Sequence, residues 1–369
     1  MRIEELFDEN LNPLWDKIWQ LEPFKACIGV NQNKEWHREM LEEHIRLVTV
    51  NMHGLISGNC PDWLVLKDEH KLMLMAAALC HDLGKATTTR WDEELQQWKC
   101  KNHGAVGERI VRKLFFDDPD IYLREAVCWL TRYHMTLHNA ENQEQDVIEK
   151  KVEHISNPFP NVDFEDMLAL YICDCMGCVN QRNDKHGFAD DILFAHKCLE
   201  LHEEIISNAG CKSSDFIPAI VMVGIAGSGK STWAELFAKK NNYKIISRDS
   251  IREELGMVSK DKKFKGTKEQ ENKVSEVFNQ RLLEYAQNKT SFIIDNTNLI
   301  ERYRKDYKKL LENYRITWKC VYVEAPTIED CKKRRNGMMP ESEIDRMLDR
   351  LEFPRPYEFD EIELCKQND

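Results

Sequence analysis

The sequence predicts two domains, an all-α domain followed by an α/β domain built on a parallel sheet. The chain has 369 residues, which is long enough for two or three domains of ordinary size. Apolar residues recur at helical spacings of three and four through residues 1–205, whereas short apolar runs alternate with helical segments from residue 217 onward. The net charge also changes, from −15 over residues 1–210 to +3 over residues 211–369.

A short polar segment separates the two patterns. Residues 207–214 read S-N-A-G-C-K-S-S, and such small and polar residues favour neither a helix nor a strand. We therefore predict a first domain over residues 1–206, a linker over residues 207–216 and a second domain over residues 217–369.

The composition excludes several classes of protein. The hydrophobic fraction of 42% suffices for ordinary cores, but no apolar run approaches the roughly 18 residues of a membrane span. The first residues, M-R-I-E-E-L, lack the apolar region of a signal peptide. The 13 cysteines have irregular spacings. Together these features predict reduced thiols, a cytoplasmic location and no membrane partner.

Strands and helices alternate in the second half. Strands are predicted at residues 219–223, 244–247, 291–295 and 316–323, with helices at residues 268–287 and 300–312 between them. This alternation predicts a doubly wound parallel sheet.

A glycine-rich loop follows the first of these strands. Residues 224–231 read G-I-A-G-S-G-K-S, which fits the pattern G-x-x-x-x-G-K-[ST], and a helix is predicted over residues 232–240. Backbone N–H groups of such a loop surround a phosphate, and the helix N-terminus adds positive potential. Lys230 is expected to bridge the β- and γ-phosphates, and Ser231 to ligate Mg²⁺. The predicted nucleotide-binding residues are Gly227, Ser228, Gly229, Lys230, Ser231 and Thr232.

Three further motifs each follow a predicted strand. In R-D-S-I-R at residues 248–252, Asp249 is placed to accept a proton from an attacking hydroxyl and Arg252 to hold an acceptor phosphate. Asp295 begins D-N-T-N and is expected near Mg²⁺. The run K-K-R-R ends at Arg334 and Arg335, which a mobile lid would bring to the transferring phosphoryl group. Alternatively, Asp249 is the N-cap of a helix over residues 250–255, and the basic run is a solvated helix face.

The first half carries a histidine-aspartate pair at residues 81–82, directly after an apolar helix. The residues that accompany this pair lie in helical segments with apolar neighbours; they are His44, His103, His134 and Asp174. A lone histidine in such a place is more often a core residue, but four companions favour a divalent metal site. The run C-x-C-x-x-C at residues 173–178 has poor spacing for tetrahedral zinc, so buried helical cysteines are favoured there.

The set H…HD…H…H…D over residues 35–185 resembles the HD-domain metal phosphohydrolases. The resemblance implies Mn, Ni, Co or Zn in a first metal site, with a possible second metal, and a metal-bound water that attacks phosphorus. The implied ligands of the first site are His44, His81, Asp82 and Asp174. Those of the second are His103 and His134, while Lys85 and His37 would face substrate phosphate. Some members of that family have an arginine at the position of Cys178. In this chain its phosphate-binding role passes to Arg182 or Lys185, or is lost.

Residues 218–355 resemble the phage-type and bacterial 5′-hydroxyl polynucleotide kinases. The matching motifs are G-K-S-T, an aspartate three residues before an arginine, and D-x-T-N. The resemblance implies ATP and Mg²⁺ as cofactors, a P-loop kinase fold with a helical lid, Asp249 as the general base and Arg252 on the 3′-side phosphate of the acceptor. It leaves open whether Arg334 or Arg335 reaches ATP.

The order of the two modules is similar to that of bacterial fusions that heal broken nucleic-acid ends. The implied substrates are RNA or DNA ends with a 5′-OH and a 3′-phosphate, 2′-phosphate or cyclic phosphate, and a separate ligase is a possible partner. Two alternatives remain. One is a nucleotide phosphohydrolase fused to a nucleoside or small-molecule kinase. The other is a ligand-gated regulator with negligible turnover.

Overall fold

The chain forms two compact units, Met1–Gly210 and Cys211–Asp369. A computed structural model describes residues 1–156, 159–180, 183–184, 187–208, 216–257, 267–336 and 338–367. Most of the predicted linker over residues 207–216 lies outside these ranges, so the boundary stays a prediction. Among the described helices, none combines the length and the apolarity that crossing a bilayer requires.

The first unit is largely helical. Short 3-10 turns at Ile3–Leu6 and Asp68–His70 accompany the α-helices. The α-helices described there are α1 (Trp15–Ile18), α2 (Glu22–Lys25), α3 (Leu41–Ile56), α4 (Lys71–Cys80), α5 (Lys85–Thr88), α6 (His103–Leu114), α7 (Ile121–Tyr133), α8 (Met135–His138), α9 (Gln145–Ser156), α10 (Phe164–Gly177) and α11 (Ala189–Asn208). Helix α4 packs against α3, α7 and α10. Its residues 73–80 are all buried, as expected of a helix that is apolar on every face.

A β-hairpin interrupts the helices of the first unit. Strands β1 (Thr89–Asp92) and β2 (Gln97–Cys100) pair antiparallel, with Trp91 opposite Trp98. The helical pattern predicted for residues 1–205 omitted this hairpin. Each strand has only four residues and neither is fully buried, so the apolar alternation that reveals a strand is weak.

The second unit is an α/β domain with a five-stranded sheet. Its strands are β3 (Ile217–Val223), β4 (Lys244–Ile246), β5 (Phe292–Ile294), β6 (Ile316–Glu324) and β7 (Glu361–Lys366), in the order β4-β5-β3-β6-β7 with every pair parallel. Its described helices are α12 (Lys230–Asn241), α13 (Arg248–Glu254), α14 (Lys268–Gln287), α15 (Glu301–Leu310), α16 (Ile328–Arg334) and α17 (Glu341–Asp349). The predicted fold class, a helical unit followed by an α/β P-loop unit with a parallel sheet, is confirmed.

Strand β7 was not predicted. Its sequence, E-I-E-L-C-K, alternates charged and apolar residues at the sheet edge and offers only a short apolar signal. It nevertheless matters for the site, because a parallel edge strand brings the residues after it to the same edge as the loops after β3, β4 and β5.

A buried arginine holds the carboxyl ends of the strands in place. Arg304 is 1% exposed and pairs through both Nε and Nη2 with the carboxylate of Glu358, each at 2.8 Å. Its Nη1 donates to the carbonyls of Asn298 and Glu352, both at 2.9 Å. One side chain thus joins the loop after β5 to the segment that leads into β7.

We expect Arg304→Met to lower the free energy of unfolding of the second unit by about 3–5 kcal/mol, because it strands the buried carboxylate of Glu358 without its partner. Chemical denaturation of the full chain, followed by fluorescence, measures the shift. Arg302→Met is the matched control, since Arg302 lies on the same helix and is exposed. Equal stabilities of the two variants would contradict this account of Arg304.

Candidate metal centre and phosphate-binding loop

Five structural elements bring the predicted metal ligands of the first unit together. His44 lies on α3, His81 and Asp82 follow α4, His103 begins α6, and the remaining two are at the end of α7 and on α10. All six residues are buried. Close approach of the backbone makes this possible, because a Cβ at Gly84 would lie 2.0 Å from the carbonyl oxygen of His103.

Backbone carbonyls orient the four histidines. Each Nδ1 lies within hydrogen-bond distance of one carbonyl oxygen, namely that of Gly177 for His44 (3.2 Å), Ala78 for His81 (2.8 Å), Cys100 for His103 (2.9 Å) and Thr131 for His134 (2.8 Å). An imidazole that donates from Nδ1 keeps the lone pair of Nε2 free. The four Nε2 atoms lie around the carboxylate of Asp82, and histidines whose other ring nitrogen meets a backbone carbonyl are typical of metal sites.

Asp82 lies between two pairs of these nitrogens. Its Oδ2 is 3.5 Å from Nε2 of His44 and 3.3 Å from Nε2 of His81, while its Oδ1 is 3.3 Å from Nε2 of His103 and 3.5 Å from Nε2 of His134. Asp174 Oδ1 lies 3.0 Å from Nε2 of His44. The donors form two groups, His44-His81-Asp174 and Asp82-His103-His134. The carboxylate of Asp82 can thus bridge two sites.

These donors fit divalent cations. Nε2 of His44 lies 3.3 Å from Nε2 of His81, and the same atoms of His103 and His134 are 3.0 Å apart. Two lone pairs this close repel unless a proton or a metal ion lies between them. Ligands about 2.1 Å from one ion are separated by about 3.0–3.4 Å at ordinary coordination angles. Moreover, Oδ1 of Asp82 is buried and accepts no hydrogen bond from the described residues.

The electrostatics of the cluster agree with this fit. Burial lowers the pKa of His103 to about 3 and also lowers that of His134, so both imidazoles are neutral ligands. Burial has the same effect at His44, but the carboxylates of Asp174 and Glu39 outweigh it and raise the pKa to about 9. The carboxylates of Asp82 and Asp174 are therefore stabilised by positive charge placed between the rings.

A cavity of about 600 Å³ opens beside the cluster. Lys85 lies on its wall, with Nζ 2.6 Å from Oδ2 of Asp82 and 3.0 Å from Oε1 of Gln32. Sequence reasoning missed His138, whose Nε2 is 3.0 Å from Oδ2 of Asp174. It also missed the cavity residues contributed by the hairpin and by residues 32–36, for which the sequence carries no recognisable motif.

The structure also describes His37 and the cysteines that the sequence places near this site. His37 lines the cavity, and its Nδ1 lies 2.8 Å from Oε1 of Glu39. Burial, aided by the charge of Lys85, lowers the pKa of His37 to about 4. Cys173 and Cys175 are buried on α10 as free thiols, and Cys178 donates to the carbonyl of Asp174. Arg182 and Lys185 lie outside the described residues.

In the second unit, the glycine-rich loop joins β3 to α12. Gly224, Gly227 and Gly229 all have positive φ angles, and a Cβ at Gly227 would lie 2.7 Å from the carbonyl oxygen of Cys331. Ser228 is fully buried, and its hydroxyl has no hydrogen-bond partner among the described residues. Ser231 and Thr232 lie exposed on the first turn of α12. The loop therefore has the shape that cradles an anion.

Lys230 lies buried behind this loop. Its Nζ donates to the carbonyl of Ile225 at 2.9 Å. Burial lowers the pKa of Lys230 to about 8; Asp295 opposes this change, whereas the charge of Arg335 adds to it. Burial raises the pKa of Asp295, which accepts a hydrogen bond from Ser231. A phosphate group bound here would supply the negative charge that Lys230 lacks.

Asp249 lies at the start of α13 and is exposed. Its Oδ1 is 2.6 Å from Nη1 of Arg252, and the remaining nitrogens of that guanidinium pair with the carboxylate of Glu271 at 2.9 and 3.0 Å. The alternative that Asp249 caps the helix is wrong, because Ser247 is the N-cap and its side chain accepts from the N–H of Ser250. Glu271 was missed by sequence reasoning.

The residues after Asp295 hold the loops together. The side-chain oxygen of Asn296 accepts from the N–H of Arg248 at 3.0 Å, and Nδ2 of Asn298 donates to the carbonyl of Met222 at 2.8 Å. The D-N-T-N motif thus contributes positioning groups as well as a carboxylate.

Both arginines of the basic run lie near the loop. Nη1 of Arg334 is 3.2 Å from the carbonyl oxygen of Gly227 and 3.2 Å from Oε1 of Gln367, which follows β7. Arg335 contacts Met338, and its charge acts on Lys230. Gln367 was not predicted, because its position depends on the strand that was missed.

Two protein-family models match the chain, one in each unit. The model described as "HD domain" matches residues 42–157, and that described as "AAA domain" matches residues 220–354. Asp174 lies beyond the first match, and Gln367 lies beyond the second.

Relatives match parts of the chain. It is 28% identical over 229 residues to the multifunctional CCA protein of Shewanella frigidimarina, across 60% of this chain and 47% of that protein. It is 27% identical over 143 residues to the L-seryl-tRNA(Sec) kinase of Methanococcus maripaludis, across 37% of this chain and 52% of that kinase. The chain thus spans about half the length of these relatives.

Among solved structures, the Pnkp1/Rnl/Hen1 RNA repair complex matches 39% of this chain and 47% of that chain, with 24% identity and a TM-score of 0.33. One family match lies within the helical unit and the other within the α/β unit. The chain is therefore a fusion of an HD domain with a P-loop, kinase-like AAA domain.

Proposed function

We propose that this protein heals nucleic-acid ends. The first unit removes a terminal 3′-phosphate, 2′-phosphate or 2′,3′-cyclic phosphate, and the second transfers the γ-phosphoryl group of ATP to a 5′-OH. One observation supports the proposal: a carboxylate that lies between two histidine pairs beside a cavity occurs in the same chain as a P-loop and an exposed aspartate, Asp249, paired with Arg252. The name of one partial relative, the L-seryl-tRNA(Sec) kinase, refers to tRNA, which agrees with a polynucleotide substrate.

In the first unit, we assign metal binding to His44, His81, Asp82, His103, His134 and Asp174. Bound divalent ions, of which Mn, Ni, Co and Zn suit these donors, supply Lewis-acid activation of water and offset charge on phosphoryl oxygens. Lys85 lies on the cavity wall, where its ammonium can bind a phosphoryl oxygen. Asp82 holds that ammonium and raises its pKa against the effect of burial, so the group stays charged.

In the second unit, the 5′-hydroxyl oxygen attacks the γ-phosphorus of ATP, and Asp249 accepts the hydroxyl proton. The new P–O bond forms as the bond to the β,γ-bridging oxygen breaks, and ADP leaves. Lys230 and the lid residues Arg334 and Arg335 offset the developing charge, and Ser231 with Asp295 is placed to hold Mg²⁺. We assign Arg252 to the 3′-side phosphate of the acceptor, in addition to its observed contact with Asp249.

The proposal is tested with oligonucleotides bearing a 5′-OH and a 3′-phosphate or cyclic phosphate, incubated with ATP and Mg²⁺, Mn²⁺, Ni²⁺ or Co²⁺. End analysis should find a new 5′-phosphate and a new 3′-OH. Transfer to free nucleosides but not to the oligonucleotide would favour a small-molecule kinase instead. Negligible turnover at both ends would favour a regulator.

We expect the two activities to be separable. Lys230→Ala should lower 5′ phosphorylation at least about a hundredfold, because it removes a cation from the transferring phosphoryl group, and should spare the 3′ reaction. Asp82→Ala should abolish the 3′ reaction and spare 5′ phosphorylation. Both activities are measured on the same oligonucleotide. Loss of both activities in either folded variant would contradict the assignment of one reaction to each compact unit.

We expect metal analysis of the full chain, purified without chelator, to find up to two divalent ions. His103→Ala should lose one of them, and Asp82→Ala should lose affinity for both, because its two oxygens face different histidine pairs. His53→Ala is the control, since His53 lies on α3 but binds the carbonyl of Asn10. Full metal content in folded Asp82→Ala protein would refute the bridging role.

We expect Arg252→Ala to raise KM for the oligonucleotide roughly tenfold or more and to change KM for ATP little, because a charge-assisted contact to the acceptor is lost. Arg252→Lys should rescue this only partly, since an ammonium lacks the guanidinium fork. Arg281→Ala is the control, because Arg281 joins the same two helices through Glu254. A rise in KM for ATP alone would show that Arg252 acts elsewhere.

A further inference from the structure

The cavity beside the metal cluster has an aromatic wall that the chemistry of phosphate hydrolysis does not require. Trp36 and Trp98 line it together with Lys85 and His103. Trp36 is 48% exposed, and its ring makes no aromatic or cation–π contact with the described residues. An indole ring left half exposed at the mouth of a cavity is available to stack on a flat ligand.

The hairpin fixes the second indole. Trp98 lies edge to face with Trp91 across the strand pair, with ring centroids 5.3 Å apart. The hydroxyl of Thr89 donates to the carbonyl of Lys85 at 2.7 Å, and Nδ2 of Asn33 donates to Oε1 of Gln97 at 3.2 Å. The hairpin is thereby tied both to the metal cluster and to the segment that carries Trp36. The aromatic wall is preorganised at a fixed place beside the cluster.

Polar groups that line the same cavity match the rest of a nucleotide. The amides of Gln97, Asn139 and Asn142 offer donors and acceptors to base edges. Lys101 lines the cavity and has no ion-pair partner among the described residues, whereas Lys99 is paired with Asp92 at 2.8 Å. A free ammonium at this position suits a second phosphate of the substrate, apart from the one beside Asp82.

We infer that this cavity is a binding site for one unpaired terminal nucleotide. The base stacks on Trp36 and Trp98, the terminal phosphate lies at the metal cluster beside Lys85, whose ammonium pairs with Asp82, and Lys101 binds the preceding phosphodiester. The inference rests on the proposed function of the first unit and names its substrate class. A cavity of about 600 Å³ accommodates a single nucleotide but not a base pair within its duplex. The substrate end must therefore be single-stranded over at least its last nucleotide.

The test compares two oligonucleotides that differ only in the last base, one ending in adenosine 3′-phosphate and one in an abasic ribose 3′-phosphate. Base–aromatic stacking is worth about 1–3 kcal/mol, so removal of the base should lower kcat/KM roughly 5- to 150-fold. Trp36→Leu and Trp98→Leu should each lower kcat/KM more for the adenosine end than for the abasic end, so that the preference for the base shrinks. Trp36→Phe should retain most of the preference, because a phenyl ring still stacks.

Leu95→Ala is the matched control, since Leu95 is an exposed apolar residue in the turn of the same hairpin and does not line the cavity; it should keep the preference for the base. Calorimetric titration with adenosine 3′-phosphate and ribose 3-phosphate gives a second readout that needs no turnover. Equal hydrolysis and equal binding of the two members of each pair would overturn the inference and leave the proposed function standing. Base-dependent binding without hydrolysis of either oligonucleotide would support the nucleotide site and count against the proposed function.

Discussion

The buried carboxylate of Asp82 is the constraint around which the first unit is organised. A charge at this depth is costly unless something compensates it. The ammonium of Lys85 supplies one positive charge, and the four imidazole rings around the carboxylate supply nitrogens that can hold further cations beside it. The rings cannot relax away, because each is held by a backbone carbonyl. The packing of α3, α4, α5, α6 and α7 therefore has to bring these five groups to within a few ångströms of one carboxylate. The packing of these helices therefore determines the geometry of the site.

Helices α6 and α7 illustrate this coupling. Each carries one histidine of the second pair, His103 and His134. Between these helices, Arg112 pairs with Glu125 at 2.7 Å in a buried network. Such an ion pair contributes little net stability over an apolar substitute, but it permits few alternative registers. We infer that its value lies in fixing the 3.0 Å separation of the two Nε2 atoms, which an apolar interface would specify less sharply.

The two units present opposite electrostatic problems. The centre of the first has an excess of negative charge and lone pairs, which only cations can satisfy. The centre of the second has an excess of donors: curled backbone N–H groups, the buried Lys230, and nearby Arg334 and Arg335. A site that lowers the pKa of its own lysine to about 8 is prepared for an anion. One chain thus holds a cation-demanding pocket and an anion-demanding pocket, which suits two reactions on phosphate groups.

Sequence reasoning predicted the elements whose chemistry is local. The P-loop and the histidine-aspartate pair were visible because their spacing alone brings the functional atoms together, and the parallel sheet followed from strand alternation. The residues that were missed depend on contacts between distant segments. Trp98 and Gln367 lie on or after weakly apolar strands, and Glu271 acquires its role only because α14 packs against α13.

The same distinction explains why the substrate pocket is harder to read than the reacting centre. Metal ligands come from a few residue types, chiefly histidine, aspartate, glutamate and cysteine, so they can be recognised in a sequence. A surface that stacks a base and binds its edges can be built from many residue types. The cavity for which we infer this role is lined by residues 32–36, the hairpin and the loop after α8. If both proposals hold, hydrolysis leaves a 3′-OH and transfer leaves a 5′-phosphate. These are the two termini that a ligation step needs, and the separate compact units let either reaction come first.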